Sequence, residues 1–185
     1  IKIKNNKAIL NKNIKVPINP MIGVIGVAPD ERSDNITPKS HGGNMDCKLI
    51  TKKSFLYLRS NVKYGKIYLG DLHALMGDGE VCVSGLEVSG EVVLSVEVIK
   101  DKKFETPFVE NEDLVATISS KPKMDQALKT ATIKMHNYLV NNLKVDKDDA
   151  AILMSIAGDL KICQVVDPWK TARFEIKKSL IAKYL

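Results

Sequence analysis

From residue 48 to residue 99 the apolar positions fall in short runs, many alternating with polar ones, which is the two-residue period of β-strands. Phe55-Leu56-Tyr57-Leu58 and Ile67-Tyr68-Leu69 read as strands divided by a turn at 61–65. Residues 81–89 and 91–99 read as two more, separated at Gly90. In the second, Val92, Leu94, Val96 and Val98 alternate with Glu91, Ser95 and Glu97, so Glu87, Glu91 and Glu97 are assigned to a solvated face. Upstream, Val16-Pro17-Ile18 reads as an edge strand or a loose lead-in, and the glycine-punctuated run 20–29 as a buried strand with close backbone approach. A polar loop follows at 30–39, and residues 101–119 lack a clear period and read as loop.

The period then changes. Met124, Ala127, Leu128, Ala131, Met135, Leu139 and Leu143 mark one face of a long amphipathic helix, with Ser119-Ser120 before Pro122 as its start signal. His136 falls at its boundary. Asp146 and Asp149 open a second helix, with carboxylates at its positive end, and Gly158 should end it. Residues 159–166 alternate as a strand closed by Asp167-Pro168, Trp169 packs a sheet end, and 174–185 reads as a short docking helix. The expected fold is α+β and β-rich: sandwich- or barrel-like sheets with two consecutive helices toward the C-terminus. Residues 1–185 are expected to form a single domain, with 1–19 as a lead-in.

Composition narrows the function. With 185 residues and 44% hydrophobic content the chain can bury a real core. A net charge of +6 raises the question of nucleic acid, but the lysines are scattered and only 5% of residues are aromatic, so stacking platforms are lacking and no nucleic-acid partner is expected. No run of eighteen apolar residues exists, so no membrane span is expected, and the N-terminal stretch lacks the apolar centre of a signal peptide. Three cysteines without a Cys-X-X-Cys pair point away from a disulfide framework and toward a reducing cytoplasm.

The densest chemistry lies at 70–80, where Asp71, His73, Asp78 and Glu80 stand among three glycines. In extended chain, residues two apart share a side, so Asp71 can pair with His73 and Asp78 with Glu80. Asp-X-His alone often only caps a turn. One imidazole with three carboxylates, however, is a donor set for zinc or a similar divalent ion. A second cluster, His41-Gly42-Gly43-Asn44-Met45-Asp46, has a plain reading as a turn in which Asn44 and Asp46 bond their own backbone. It gains weight only if the loop folds onto the first cluster.

Five blocks together resemble the acetamidase/formamidase family of amide hydrolases: residues 23–29, 41–46, 70–80, Ser155-Ile156-Ala157-Gly158-Asp159-Leu160, and Gln164-Val165-Val166-Asp167-Pro168. They occur in the family's order, and the resemblance runs from about Pro20 to Phe174. It implies a β-rich fold, a bound divalent metal, and hydrolysis of short linear amides, acetamide or formamide, to carboxylate and ammonia. On that reading Asp71 and His73 are metal ligands, and Asp78 is a third ligand or holds the cluster's geometry. Glu80 is the general base. His41, Asn44, Asp46 and Gln164 orient substrate or complete the site, and Asp159 stands behind it. Zinc is the expected ion, with calcium or another divalent ion as the alternative.

Two departures bear on this. Family members usually carry a long portion ahead of the first block, where this chain has nineteen residues, so a companion N-terminal segment or homo-oligomerisation is expected to complete the site. Gln164 stands where some members have Glu, which removes it as a base and tilts the expected substrate toward acetamide. A cysteine nucleophile is the weaker alternative, since Cys82 falls in a predicted strand and Cys47 follows Asp46 without activating neighbours. The alternative of another class is a non-catalytic β-rich subunit or interaction module with a structural metal cluster.

Overall fold

The computed structural model of the chain describes residues 1–28, 36–100 and 105–185. Its elements in chain order begin with β1 (Lys2–Lys4), β2 (Lys7–Ile9), β3 (Lys15–Pro17) and β4 (Met21–Val27). Next come β5 (Gly42–Asn44), β6 (Phe55–Tyr57), β7 (Ile67–Leu75), β8 (Leu86–Glu87), β9 (Phe108–Glu110) and β10 (Leu114–Lys121). The helices α1 (Met124–Asn137) and α2 (Lys147–Ala157) follow, then β11 (Asp159–Gln164), β12 (Lys170–Lys177) and the short α3 (Lys178–Ile181). The described strands form three sheets with antiparallel pairing: β1-β2-β3, β11-β12-β10-β9-β6 and β5-β4-β7-β8. The architecture is α+β and β-rich.

The alternation of β10 explains how the layers stack. Val115 packs into a core with Phe108, Met135, Leu139, Met154 and Ile176, beneath α1 and α2. Ala116 and Ile118, pointing the other way, pack with Ile25, Met45, Cys47, Ile50 and Cys163. The five-stranded sheet is thus buried on both faces, against helices on one side and the β4 region on the other. β12 obeys the same rule: Phe174 and Ile176 join the helix-side core, so Arg173 and Glu175 point toward the opposite side.

Of the two long helices, α2 matches both of its signals. α2 starts at Asp146, whose carboxylate accepts the N–H groups of Asp148 and Asp149, and ends at Gly158. Its partner α1 buries Ala127, Ala131 and Met135 and passes into a π-helical turn, Tyr138–Asn142, that buries Leu139. His136 sits at the edge of α1, 3.3 Å from the carbonyl of Lys147. β3 is an edge strand, as its proline requires.

Four expectations need correction. Residues 101–119 are not loop throughout: β9 and β10 lie there, and β10 hides its period because both faces are buried. Ser119 and Ser120 belong to β10 and do not cap α1, which starts after Lys123 without a side-chain cap. Most of 174–177 is strand, paired along β10, and only Lys178–Ile181 is helical. The alternating run 91–99 forms no strand: alternation marks a strand only where the backbone pairs with a neighbour, and this run pairs with none among the described residues. Part of the predicted polar loop, 30–35, lies outside the described residues, as do 101–104.

Candidate metal centre and active site

The site starts on β7, where Asp71 and His73 meet as their two-residue spacing requires: Asp71 Oδ1 lies 3.1 Å from His73 Nε2. β4 runs antiparallel alongside, with Ile22 opposite Leu72 and Val24 opposite Gly70, which leaves Gly23 facing Asp71. A Cβ on Gly23 would stand 2.5 Å from Asp71 Oδ2 and 2.6 Å from Asp46 Oδ1. Two carboxylates therefore lean over one bare glycine, which is the physical use of Gly23. Asp46 arrives from the other flank of β4, where β5 pairs with it and the Asp46 N–H donates to the Gly23 carbonyl over 3.2 Å. The second cluster does fold onto the first.

Glu80 comes from the turn after β7. Its Oε1 accepts the Gly85 N–H at 3.0 Å and lies 3.9 Å from His73 Nε2. Glu87, on β8 opposite His73, places Oε1 2.9 Å from the same nitrogen. One buried imidazole nitrogen thus faces Asp71, Glu80 and Glu87. Asp46, His73 and Glu80 offer ligand atoms within 4.8 Å of one another, and so do Asp71, His73 and Glu87. Asp46, Asp71 and Glu80 also share a left-handed backbone, with φ of 44°, 55° and 46°. Such a conformation costs a non-glycine residue on the order of 1–3 kcal/mol, and here three residues that adopt it belong to the two ligand groups sharing His73.

So much negative charge in one place needs a counter-charge. Burial and the neighbouring Glu80, Asp71 and Asp167 push the Asp46 carboxyl up to about 8. Burial raises Glu80 as well, against the lowering effect of His73, and burial with Asp71 raises Asp167. Asp46 Oδ1, Asn44 Oδ1 and His73 Nδ1 are buried with no hydrogen-bond partner among the described residues. Orphaned acceptors beside clustered carboxylates and an imidazole fit a divalent cation.

The remaining predicted residues sit as follows. Asn44 donates from Nδ2 to Asp167 Oδ2 at 2.8 Å, which brings Asp167 to the cluster. His41 is buried at the start of β5, its carbonyl accepting the Val27 N–H, and lies outside both ligand groups. Asp78 does not pair with Glu80. Its two oxygens accept from Arg173 Nη1 and Nη2 at 2.7 and 2.8 Å, and Lys48 Nζ lies 2.9 Å away. Burial would raise the Asp78 carboxyl, but Arg173 and Lys48 outweigh it and hold it below the usual range. Gln164 faces no open space: Oε1 accepts the Val166 and Asp167 N–H groups, and Nε2 donates to the Trp169 carbonyl and Thr171 Oγ1. It pins the turn that presents Asp167. Asp159 lies at the far end of β11, its side chain 64% exposed beside Lys161, away from the cluster.

The acetamidase/formamidase family model matches residues 30–168, three quarters of the chain. The chain belongs to this family. It is 41% identical to the formamidase of Methylophilus methylotrophus over 75 residues, 40% of this chain and 18% of that protein. Against the acetamidase of Mycolicibacterium smegmatis it is 35% identical over 66 residues, 35% of this chain and 16% of that protein. Among solved structures, a predicted acetamidase/formamidase from Thermoanaerobacter tengcongensis superposes with a TM-score of 0.94 at 45% identity, covering 100% of this chain and 62% of that one. An acetamidase from Bacillus halodurans gives 0.94 at 38% identity, covering 98% and 62%. The chain therefore spans about three fifths of the solved relatives, and its matched stretches span under a fifth of the two enzymes named first.

Within this acetamidase/formamidase chain, three acidic or basic residues of the site escaped the sequence reading. Glu87, assigned to a solvated face, is indeed half-exposed, but pairing of β8 with β7 also brings its carboxylate against His73. Asp167 lay within a recognised block but read only as a turn residue. Arg173 carried one local signal, an Arg-Phe-Glu-Ile alternation that puts two charges on one strand face. Only the sheet stacking shows that this face is internal.

Proposed function

We propose that this chain carries the metal-binding and proton-transferring part of an amidase that hydrolyses short linear amides to carboxylate and ammonia. The observation that carries the reading is the convergence of Asp46, Asp71, Glu80 and Glu87 on the buried His73, with an orphaned acceptor on Asp46. Family membership and similarity to a formamidase and an acetamidase support the substrate class. A tilt toward acetamide rests on Gln164, whose side chain holds the Asp167 turn.

His73, Asp46 and Asp71 are the residues proposed to hold a divalent ion, with Glu87 beside them. Zinc is proposed, and calcium or another oxygen-preferring ion is the alternative given the carboxylate-rich set. The chemistry such an ion supplies is Lewis acidity toward an amide carbonyl and a lowered pKa for water. Glu80 acts as the base: its carboxylate, already raised in proton affinity by burial, takes a proton from water and delivers it to the departing amide nitrogen. Asp78 acts through Arg173, fixing the 77–80 turn that carries Glu80. Asn44 and Asp167 form a polar rim beside Asp46.

Assembly is part of the proposal. Val93, Val96 and Val98 are 98%, 62% and 79% exposed in the segment that follows β8, an apolar arm without a strand partner among the described residues. A second copy of the chain is proposed to cover it, with a companion N-terminal segment as the other candidate. Free Cys47, Cys82 and Cys163 support a cytoplasmic setting, and no described helix is long and apolar enough to cross a membrane.

Ammonia release from a panel of short amides, measured with metal content on wild type and Glu80→Gln, tests the reading. The isosteric change removes the proton acceptor, and activity should fall by about 10²–10⁴ with metal retained. Loss of the metal instead would place Glu80 among the ligands. Metal-free protein hydrolysing amides at full rate would sink the metal proposal.

A further inference from the structure

Beside the acid cluster lies a cleft of about 230 Å³, lined by Ile36, Thr37, Pro38, Asp167, Pro168 and Trp169. Its walls come from two places in the chain, and both are anchored to the site. On one side, the Ile36 carbonyl accepts the Asn44 N–H at 2.8 Å. Pro38 approaches Gly43 so closely that a Cβ there would stand 2.7 Å from Pro38 Cα, and Gly43 has a φ of 129° that favours glycine. On the other side, Gln164 makes four hydrogen bonds to Val166, Asp167, Trp169 and Thr171 and holds the turn in place. Asp167 closes the seam through Asn44 and is the only ionisable group among the described residues that line the cleft.

This is a small space with mostly apolar walls, braced by two prolines, and it shares Asp167 with the polar rim beside the acid cluster. Such a shape suits a few carbon atoms whose polar head lies outside it. Resting on the amidase reading, we propose that the cleft receives the acyl carbons of the substrate and makes acetamide and propionamide better ligands than formamide. Trp169 forms one wall, and its indole face contacts the chain of the bound amide. The selectivity comes from burial: each methylene removed from water improves binding about three- to fourfold, for about 0.8 kcal/mol.

Trp169 is the sole tryptophan, so its fluorescence reports on this cleft alone. The full chain, loaded with metal, is titrated with formamide, acetamide, propionamide and butyramide while Trp169 emission is followed, and ammonia is assayed in parallel. Dissociation constants are expected to fall about three- to fourfold per methylene as far as propionamide. Ile36→Phe, at an exposed position whose backbone contact is unaffected, fills the cleft and should erase that gain. Equal affinity for formamide and propionamide, a gain that survives in Ile36→Phe, or emission that ignores bound amide would each overturn the proposal. Ammonia release without chain-length dependence overturns the cleft and leaves the hydrolytic reading standing. Chain-length-dependent binding without ammonia supports the cleft and counts against hydrolysis.

Discussion

Arg173 grips Asp78 across 95 positions of sequence, with Nη1 on Oδ1 at 2.7 Å and Nη2 on Oδ2 at 2.8 Å. Arg173 is 1% exposed, and its Nε also donates to Glu175 Oε1 at 2.6 Å, while the other oxygen of Glu175, Oε2, accepts from Lys161 Nζ at 2.6 Å. This chain of charges ties the inner face of β12 to the turn between β7 and β8. The same turn is held at Gly79, whose N–H donates to the Cys163 carbonyl and whose carbonyl accepts the Val165 N–H. Glu80 is one residue beyond, so its placement depends on a strand almost a hundred residues away.

Removing one partner of a buried pair leaves an uncompensated charge, at about 3–5 kcal/mol. Arg173→Met is expected to lower the thermal midpoint of unfolding sharply. Asp78→Asn, in a half-exposed position, should cost much less stability while loosening the turn and lowering amide turnover. Calorimetry and ammonia assays on both variants check this. An Asp78→Asn protein with full turnover would remove Asp78 from any positioning role.

Gly23→Ala addresses the pairing of Asp46 with Asp71. The new methyl would meet oxygens of both at 2.5 and 2.6 Å, so at least one carboxylate must swing away. Divalent-ion affinity should fall about 10–100-fold, the range seen when a ligand loses its support. Isothermal titration of the metal-stripped protein measures it. Unchanged affinity would mean that these two carboxylates do not hold the ion together.

Stripped of metal, the acid cluster should make stability depend on pH. In the folded chain Asp46 holds its proton up to about 8, while in the unfolded chain it loses it near 3.8. Between those values the folded state binds more protons than the unfolded one, so stability falls as pH rises. Glu80 and Asp167, raised in the same sense, add to the slope. Thermal midpoints in chelator should therefore decline from pH 5 to pH 8, and a saturating divalent ion should flatten the decline. A midpoint that rises over this range would contradict a buried, proton-holding Asp46.

How much of this was legible in the chain depends on distance along it. Asp146 and Gly158 bracket α2 because capping is local, and Asp71 with His73 pair because both sit on one strand. Asp78 and Glu80 have the same spacing but lie in a turn, where the two-residue rule does not hold, and they part toward Arg173 and His73. β10 was missed because burial on both faces removes the alternation that marks a strand. Glu87 and Asp167 reach the site only through pairing of β8 with β7 and through Asn44, which are contacts between distant segments.

The arm at 88–100 shows the reverse case, a strand pattern without a strand. Its first residue is held, since the Val88 N–H donates to the Leu72 carbonyl at 2.9 Å, but from Glu91 onward the described backbone joins no sheet. Val93 and Val98 nonetheless stand 98% and 79% exposed, along with Val96 at 62%. Three exposed valines on a segment outside any described sheet invite pairing with another edge, and charge is the usual way to prevent it. Val93→Lys with Val96→Lys should therefore leave folding intact, because neither side chain is buried in this chain, while weakening association. Sedimentation or light scattering across a dilution series is expected to show wild type above monomer mass and the double variant near it. The double variant should also lose thermal stability only in the concentration range where wild type is assembled, since assembly adds to stability by mass action. A wild-type chain that stays monomeric at high concentration would show that the arm pairs with something other than a second copy.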